Sequence, residues 1–158
     1  MLGVPRLEVV ILVGLQASGK TRFFAERLEP SHAHVSKDLY RSARNKGRRQ
    51  SREIAAALQA GRSVAVDNTN LTRQDRREIL EQARSLDARV VCFYFESKLD
   101  RCLERNALRE GRARVPDIAV RAACGRLELP AASEGFDQMW YVRMDGAGGF
   151  VVEPWEER

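Results

Sequence analysis

Residues 7–21 read LEVVILVGLQASGKT. The first half, Leu7 to Val13, is a nearly continuous apolar and β-branched run, which suits a strand buried on both faces, as in a parallel sheet. The second half, Gly14-Leu15-Gln16-Ala17-Ser18-Gly19-Lys20-Thr21, has the G-x-x-x-x-G-K-[ST] spacing of a phosphate-binding loop. A helix predicted over Thr21 to Leu28 follows it, stopped by Pro30, so the loop has the strand-to-helix setting that the motif requires. Gly14 and Gly19 allow a tight turn that aims backbone N–H groups inward, and the following helix adds its positive end. Gly14, Ala17, Ser18, Gly19, Lys20 and Thr21 are thus the expected phosphate ligands. Lys20 can reach the β- and γ-phosphates, and the Thr21 hydroxyl can ligate Mg²⁺.

Working outward, strands are expected at Ala33–Ser36, Ser63–Val66, Ala88–Phe95 and Trp140–Met144, the last followed by a turn rich in glycine. Helices are expected at Gln50–Ala60, from a Thr72 N-cap through Ser85, over Leu99–Leu108, and from near Pro116. Strands alternating with helices imply βαβ units. The predicted fold is α/β: a P-loop NTPase three-layer sandwich with a mostly parallel central sheet and an Arg-rich helical lid near residues 101–116. Residues 1–158 are expected to form one domain.

The chain has 158 residues, 44% of them apolar and 31% charged, which fits a globular protein and argues against wholesale disorder. No apolar run approaches the ~20 residues of a membrane span. The N-terminus lacks the pattern of a secretory signal. Cys92, Cys102 and Cys124 show no C-x-x-C spacing, so neither a disulfide framework nor a zinc site is expected, and a cytoplasmic location fits. Cys92 is expected in the core. His32 and His34 form no obvious metal pair and read as surface residues. The net charge of +5 favours polyanionic partners. Its positive part is concentrated in Arg41, Arg44, Lys46, Arg48, Arg49 and Arg52, and again in Arg101, Arg105, Arg109, Arg112 and Arg114.

Five further residues, in three places, have chemistry suited to phosphoryl transfer. Asp67 closes a buried strand where a metal-binding acid stands in P-loop proteins. Asp38, after the second strand, could take a proton from an acceptor hydroxyl, with Arg41 one helical turn on to pair with an acceptor phosphate. Arg105 and Arg109, four apart, could close over ATP from the lid. An N-cap aspartate beside an exposed arginine, and an ordinary solvated helix, fit the same residues.

Taken together these residues resemble the polynucleotide 5′-kinase family of phage end-repair, bacterial RNA-repair and animal kinase-phosphatase enzymes. The resemblance rests on Gly14–Thr21, Lys37-Asp38 with Arg41, Asp67-Asn68-Thr69-Asn70, Arg105-Asn106 with Arg109, Leu129-Pro130 and Glu134-Gly135-Phe136. It implies an ATP- and Mg²⁺-dependent transfer of the γ-phosphate to a 5′-hydroxyl end of DNA or RNA. Asp38 would be the general base, and Arg41 would bind the phosphate beyond the terminal nucleoside. The basic cluster that includes Arg44 would line the nucleic-acid groove. Arg109, helped by Arg105, would bind ATP phosphates, Thr21 and Asp67 would hold the metal, and the region of Glu134–Phe136 would border the adenine. Two departures stand out: Gln16-Ala17 replaces a common Pro-Gly, and Arg22 stands where a small residue is usual. A small-molecule kinase on the same fold, or a nucleotide-binding module without catalysis, are the other readings.

Overall fold

Six strands form one sheet in the order β2-β3-β1-β4-β5-β6. The computed structural model describes residues 6–40 and 44–156. β1 (Glu8–Val13) lies between β3 (Ser63–Asp67) and β4 (Arg89–Phe95), with β2 (His32–Val35) outside β3. β5 (Gln138–Met144) continues the parallel set beside β4, and β6 (Phe150–Pro154) pairs antiparallel with β5. The continuous apolar run of β1 has a simple cause. Val9, Ile11 and Val13 point to one core, Val10 and Leu12 to the other, and all five are fully buried.

Helices cover both faces. On one, α2 (Lys46–Gln59) contributes Ile54 and Leu58, and α3 (Arg73–Ser85) contributes Ile79, Leu80 and Ala83. On the other, α1 (Lys20–Phe23) and the turn after it contribute Phe23, Phe24 and Leu28. α4 (Leu99–Ala107) and α5 (Asp117–Arg126) pack together through Cys102, Val120 and Ala123 against Leu15 and Leu71. This is the expected three-layer α/β arrangement. Because β1 has β3 on one side and β4 on the other, the chain reverses its direction of winding at β1, and the carboxyl ends of β1 and β3 border the crevice where such sheets bind ligands. No helix among the described residues is long and apolar enough to cross a membrane.

The local signals held where they were chemical. Thr72 caps α3 in a reciprocal box with Asp75, each side chain meeting the other's backbone N–H. Cys92 is fully buried in β4. Four features differ from expectation. α2 starts at Lys46 rather than Gln50, because the Asn45 side chain accepts from Arg48 N at 3.0 Å and caps a turn of charged residues. The helix after the phosphate loop is α-helical only to Phe23 and continues as a π-helical turn over Phe24–Leu28. β6 is an additional strand: Asp145 Oδ1 accepts from Ala147 N at 2.7 Å and Gly149 N at 2.9 Å, turning the glycine-rich segment into a hairpin loop. Lastly, neither histidine is the surface residue its polarity suggests. His32 is buried between Ser31 Oγ at 2.7 Å and Glu8 Oε2 at 3.1 Å, and His34 is partly buried.

Candidate active site

The phosphate loop is held from below and from both sides. Gly14 N donates to Thr69 O at 3.1 Å and Leu15 N donates to Ser97 Oγ at 3.0 Å. A Cβ on Gly14 would lie 2.9 Å from Ser18 Oγ and 3.1 Å from Phe95 Cβ, so any side chain there would crowd the loop. Gly19 has φ +100°, and a Cβ on it would lie 2.6 Å from Met144 Cε and 3.1 Å from Phe150 Cε1. Ala17 turns the loop between them at φ 63°. Lys20 folds back over this frame and donates to Gly14 O at 2.8 Å and Leu15 O at 2.7 Å. Burial pulls its ammonium down from 10.5 to about 8, against the opposing charge of Asp67.

Asp67, at the end of β3, is buried beside the loop. Thr21 Oγ1 donates to its Oδ2 at 2.7 Å, so the two expected metal-side residues meet directly. A hydroxyl and a carboxylate are hard oxygen donors, which fits a Mg²⁺ ion that keeps part of its water shell. The residues after Asp67 tie the site together. Asn70 adopts φ 48° and donates to Leu12 O at 2.7 Å and Val66 O at 3.2 Å, bonding the ends of β1 and β3. Asn68 Oδ1 accepts from Lys37 N at 2.8 Å, while its amide donates to Gln50 Oε1 at 2.7 Å.

That bond brings the Asp38 segment to the same edge. Asp38 is exposed on a 3₁₀ turn, Lys37–Leu39, whose N-cap Ser36 accepts from Asp38 N at 3.3 Å. The charges of Asp67, Arg109 and Asp38 all act on the Lys20 ammonium, the two acids raising its pKa and Arg109 lowering it. Arg41 lies outside the described residues. Arg44 is exposed, as are Lys46, Arg48, Arg49 and Arg52 on α2. Within that group Arg49 is turned inward, 4.4 Å over the Tyr40 ring and paired with Glu53 at 3.3 Å. Tyr40 is buried and donates to Glu53 Oε2 at 2.6 Å; burial pushes its phenol well up. Between α2 and α3 runs a cleft of about 260 Å³ whose lining includes Lys37, Gln50, Asn68, Asp75, Glu78 and Arg126.

The segment expected to form a lid is organised around a buried amide. Asn106 is fully buried and bonds Val115 twice, to its O at 2.7 Å and from its N at 3.1 Å, which fixes the connection between α4 and α5. Arg105 reaches the phosphate loop and donates to Ala17 O at 3.3 Å. Arg109 is partly buried and donates to Ala113 O at 3.2 Å, while Arg112 and Arg114 are exposed.

Glu134 pairs with a buried arginine. Its carboxylate takes Arg76 Nε at 2.8 Å and Nη2 at 3.0 Å, and Arg76 Nη1 donates onward to Asn70 O at 2.9 Å and Leu71 O at 3.1 Å. The pair braces the loop behind Asp67, and Phe136, partly buried, packs against the core under α2 and α3. Sequence reasoning missed Arg76, which is polar and fully buried; it named Asn106 only within a motif, without a role, and read His34, whose partner is described below, as a surface residue. Arg22, noted as unusual, lies 4.6 Å over the Phe150 ring and donates to Gly148 O, so it ties α1 to the β5–β6 hairpin.

A family model described as an AAA domain matches residues 9–130. A bifunctional polynucleotide phosphatase/kinase from Schizosaccharomyces pombe is 26% identical over 136 residues, covering 82% of this chain and 32% of that protein. The chain therefore spans about a third of that relative's length, and less than two thirds of the other curated relatives it matches. Among solved structures, a fungal RNA kinase superposes with a TM-score of 0.70 at 17% identity, covering 89% of this chain and 39% of that one. A gluconokinase from Sinorhizobium meliloti superposes with a TM-score of 0.63 at 17% identity, covering 89% and 85%.

Proposed function

The chain belongs to the AAA domain family and has the fold and phosphate loop of the P-loop kinases, and on that premise we propose that it transfers the γ-phosphate of ATP to the 5′-hydroxyl end of DNA or RNA. One observation carries this reading. Asp38 is exposed on the turn beside the phosphate loop, within electrostatic reach of Lys20, and the exposed basic face of α2 follows it in the chain.

The roles follow from chemistry. Backbone N–H groups of Gly14, Ala17, Ser18 and Gly19 would receive the phosphates, and Lys20 would leave the loop carbonyls to meet them. Thr21 and Asp67 would hold Mg²⁺, which when bound neutralises charge on the phosphate oxygens. Asp38 would accept the proton of the attacking hydroxyl. In a loose transition state that proton leaves late, so an ordinary carboxylate suffices. Arg105 and Arg109 would oppose the charge that develops on the transferred group. Arg41, Arg44, Arg48 and Arg52 would bind backbone phosphates of the acceptor. Similarity to the fission yeast polynucleotide phosphatase/kinase and to the fungal RNA kinase supports a nucleic-acid acceptor.

A second reading is a kinase of a small polyhydroxy compound. The cleft between α2 and α3 favours it, because its mixed lining of Asp75 and Glu78 with Lys37 and Arg126 suits a small, hydroxyl-rich acceptor better than a polyanion. The experiment offers γ-labelled ATP with Mg²⁺ to matched 5′-hydroxyl DNA and RNA oligonucleotides, to a free nucleoside and to gluconate, with Asp38→Ala alongside. Label on an oligonucleotide that disappears with Asp38→Ala is the expected result. Label on gluconate alone, or on nothing despite ATP binding, overturns the nucleic-acid reading.

A further inference from the structure

β2 presents two histidines, and each meets a carboxylate. His32 meets Glu8 near the start of β1, away from the phosphate loop. His34, two residues on, meets Asp67: its Nε2 lies 2.9 Å from Oδ2, the oxygen that also takes the Thr21 hydroxyl at 2.7 Å. Donation to a carboxylate requires the proton on Nε2, which sets the tautomer. The ring plane is set as well, because the imidazole stacks on Phe24 with centroids 4.3 Å apart and planes 19° apart. Phe24 is the first residue of the π-helical turn, a kind of irregularity that concentrates at functional sites.

The two donors thus converge on one oxygen. Among the described residues Oδ1 of Asp67 has no donor. A carboxylate held by Thr21 alone could rotate about its Cβ–Cγ bond and trade its oxygens. A second donor on a stacked, rigid ring removes that freedom.

We propose that His34 is a positioning residue of the metal site: it fixes the Asp67 carboxylate so that Oδ2 belongs to the protein and Oδ1 faces the divalent cation and its water shell. The inference rests on the reading of Asp67 as the metal-side acid and is independent of which acceptor the protein uses. Hydrogen-bond partners behind ligating groups are worth about 10–100-fold in metal affinity, which sets the size of the expected effect.

The test uses Mn²⁺ as probe, read by electron paramagnetic resonance, on the full chain with ATP and no acceptor. His34→Ala is expected to weaken Mn²⁺ binding to the protein–ATP complex by about 10–100-fold, while ATP binding in EDTA stays at the wild-type level. His34→Gln, whose side-chain amide can reach Oδ2, is expected to restore most of the affinity. Phe24→Leu, which removes the stacking but keeps an apolar side chain in the core, is expected to lose less than His34→Ala. If His34→Ala does not fold, His34→Asn, too short to reach Oδ2, replaces it. Wild-type Mn²⁺ affinity in the folded Ala or Asn variant overturns the proposal. So does a parallel fall in metal-free ATP binding that His34→Gln does not rescue, since packing alone would produce it. A wild-type complex that holds Mn²⁺ no better than free ATP would overturn the reading of Asp67 itself. Failure to phosphorylate any end would leave this result standing.

Discussion

The Lys20 ammonium donates to the carbonyl of Gly14 at 2.8 Å, so the cation we assign to phosphate is held in the free protein by its own loop. Burial lowers its pKa from 10.5 to about 8. Between those values the unfolded chain holds a proton that the folded chain has lost, so the free protein should gain stability as pH rises from about 8 to 10.5. Bound polyphosphate restores the charge, so ATP binding within that window should take up a proton. Calorimetry in buffers of different ionisation enthalpy reads the uptake directly, and Lys20→Met should abolish both effects. An unchanged profile in Lys20→Met would mean that another group titrates.

Gly19 and Gly61 separate loop geometry from general backbone strain. Both have positive φ, but a Cβ on Gly61 meets nothing within 4 Å, whereas one on Gly19 meets Met144 and Phe150. Gly61→Ala should cost about 1–3 kcal/mol of stability and leave nucleotide affinity alone. Gly19→Ala should lose ATP binding as well. Thermal melts with and without ATP distinguish the two.

The Arg76–Glu134 pair is fully buried at the guanidinium and 7% exposed at the carboxylate. Removing either partner strands a charge in the interior, so Arg76→Met or Glu134→Leu should each cost about 3–5 kcal/mol. The double variant should cost much less than the two losses together. Urea denaturation of the four proteins measures the cycle. Additive losses would mean that each side chain acts through other contacts.

The exposed arginines of α2 should act on the acceptor and leave ATP alone. Arg48→Glu combined with Arg52→Glu should raise KM for a 5′-hydroxyl oligonucleotide and leave KM for ATP unchanged. Each lost phosphate contact should reduce the slope of log affinity against log salt by about 1. Equal salt dependence in the wild type and the double variant would remove α2 from the acceptor path.

The parts of this protein that were legible from sequence are those whose physics is local. The strand-loop-helix around Gly14–Thr21, the acid closing β3 and the Thr72 cap each depend on a few neighbouring residues. His34 meets Asp67 only because β2 lies beside β3 in a register that pairs His34 with Ala65, and no spacing in the sequence encodes that. Arg76 and Glu134 are likewise far apart in the chain, and each alone reads as a surface charge. The π-helical turn has the same apolar residues as an α-helix would. β6 was hidden because Phe150-Val151-Val152 is a short apolar run behind glycines that also suit a loose end.

The contact of Gly19 with Met144 and Phe150 also has a meaning in time. The phosphate loop is translated well before the β5–β6 hairpin that packs against it. A ribosome therefore displays the nucleotide-binding signature long before the surface that shapes it. The loop around Gly19 therefore reaches its final packing only after the hairpin has docked.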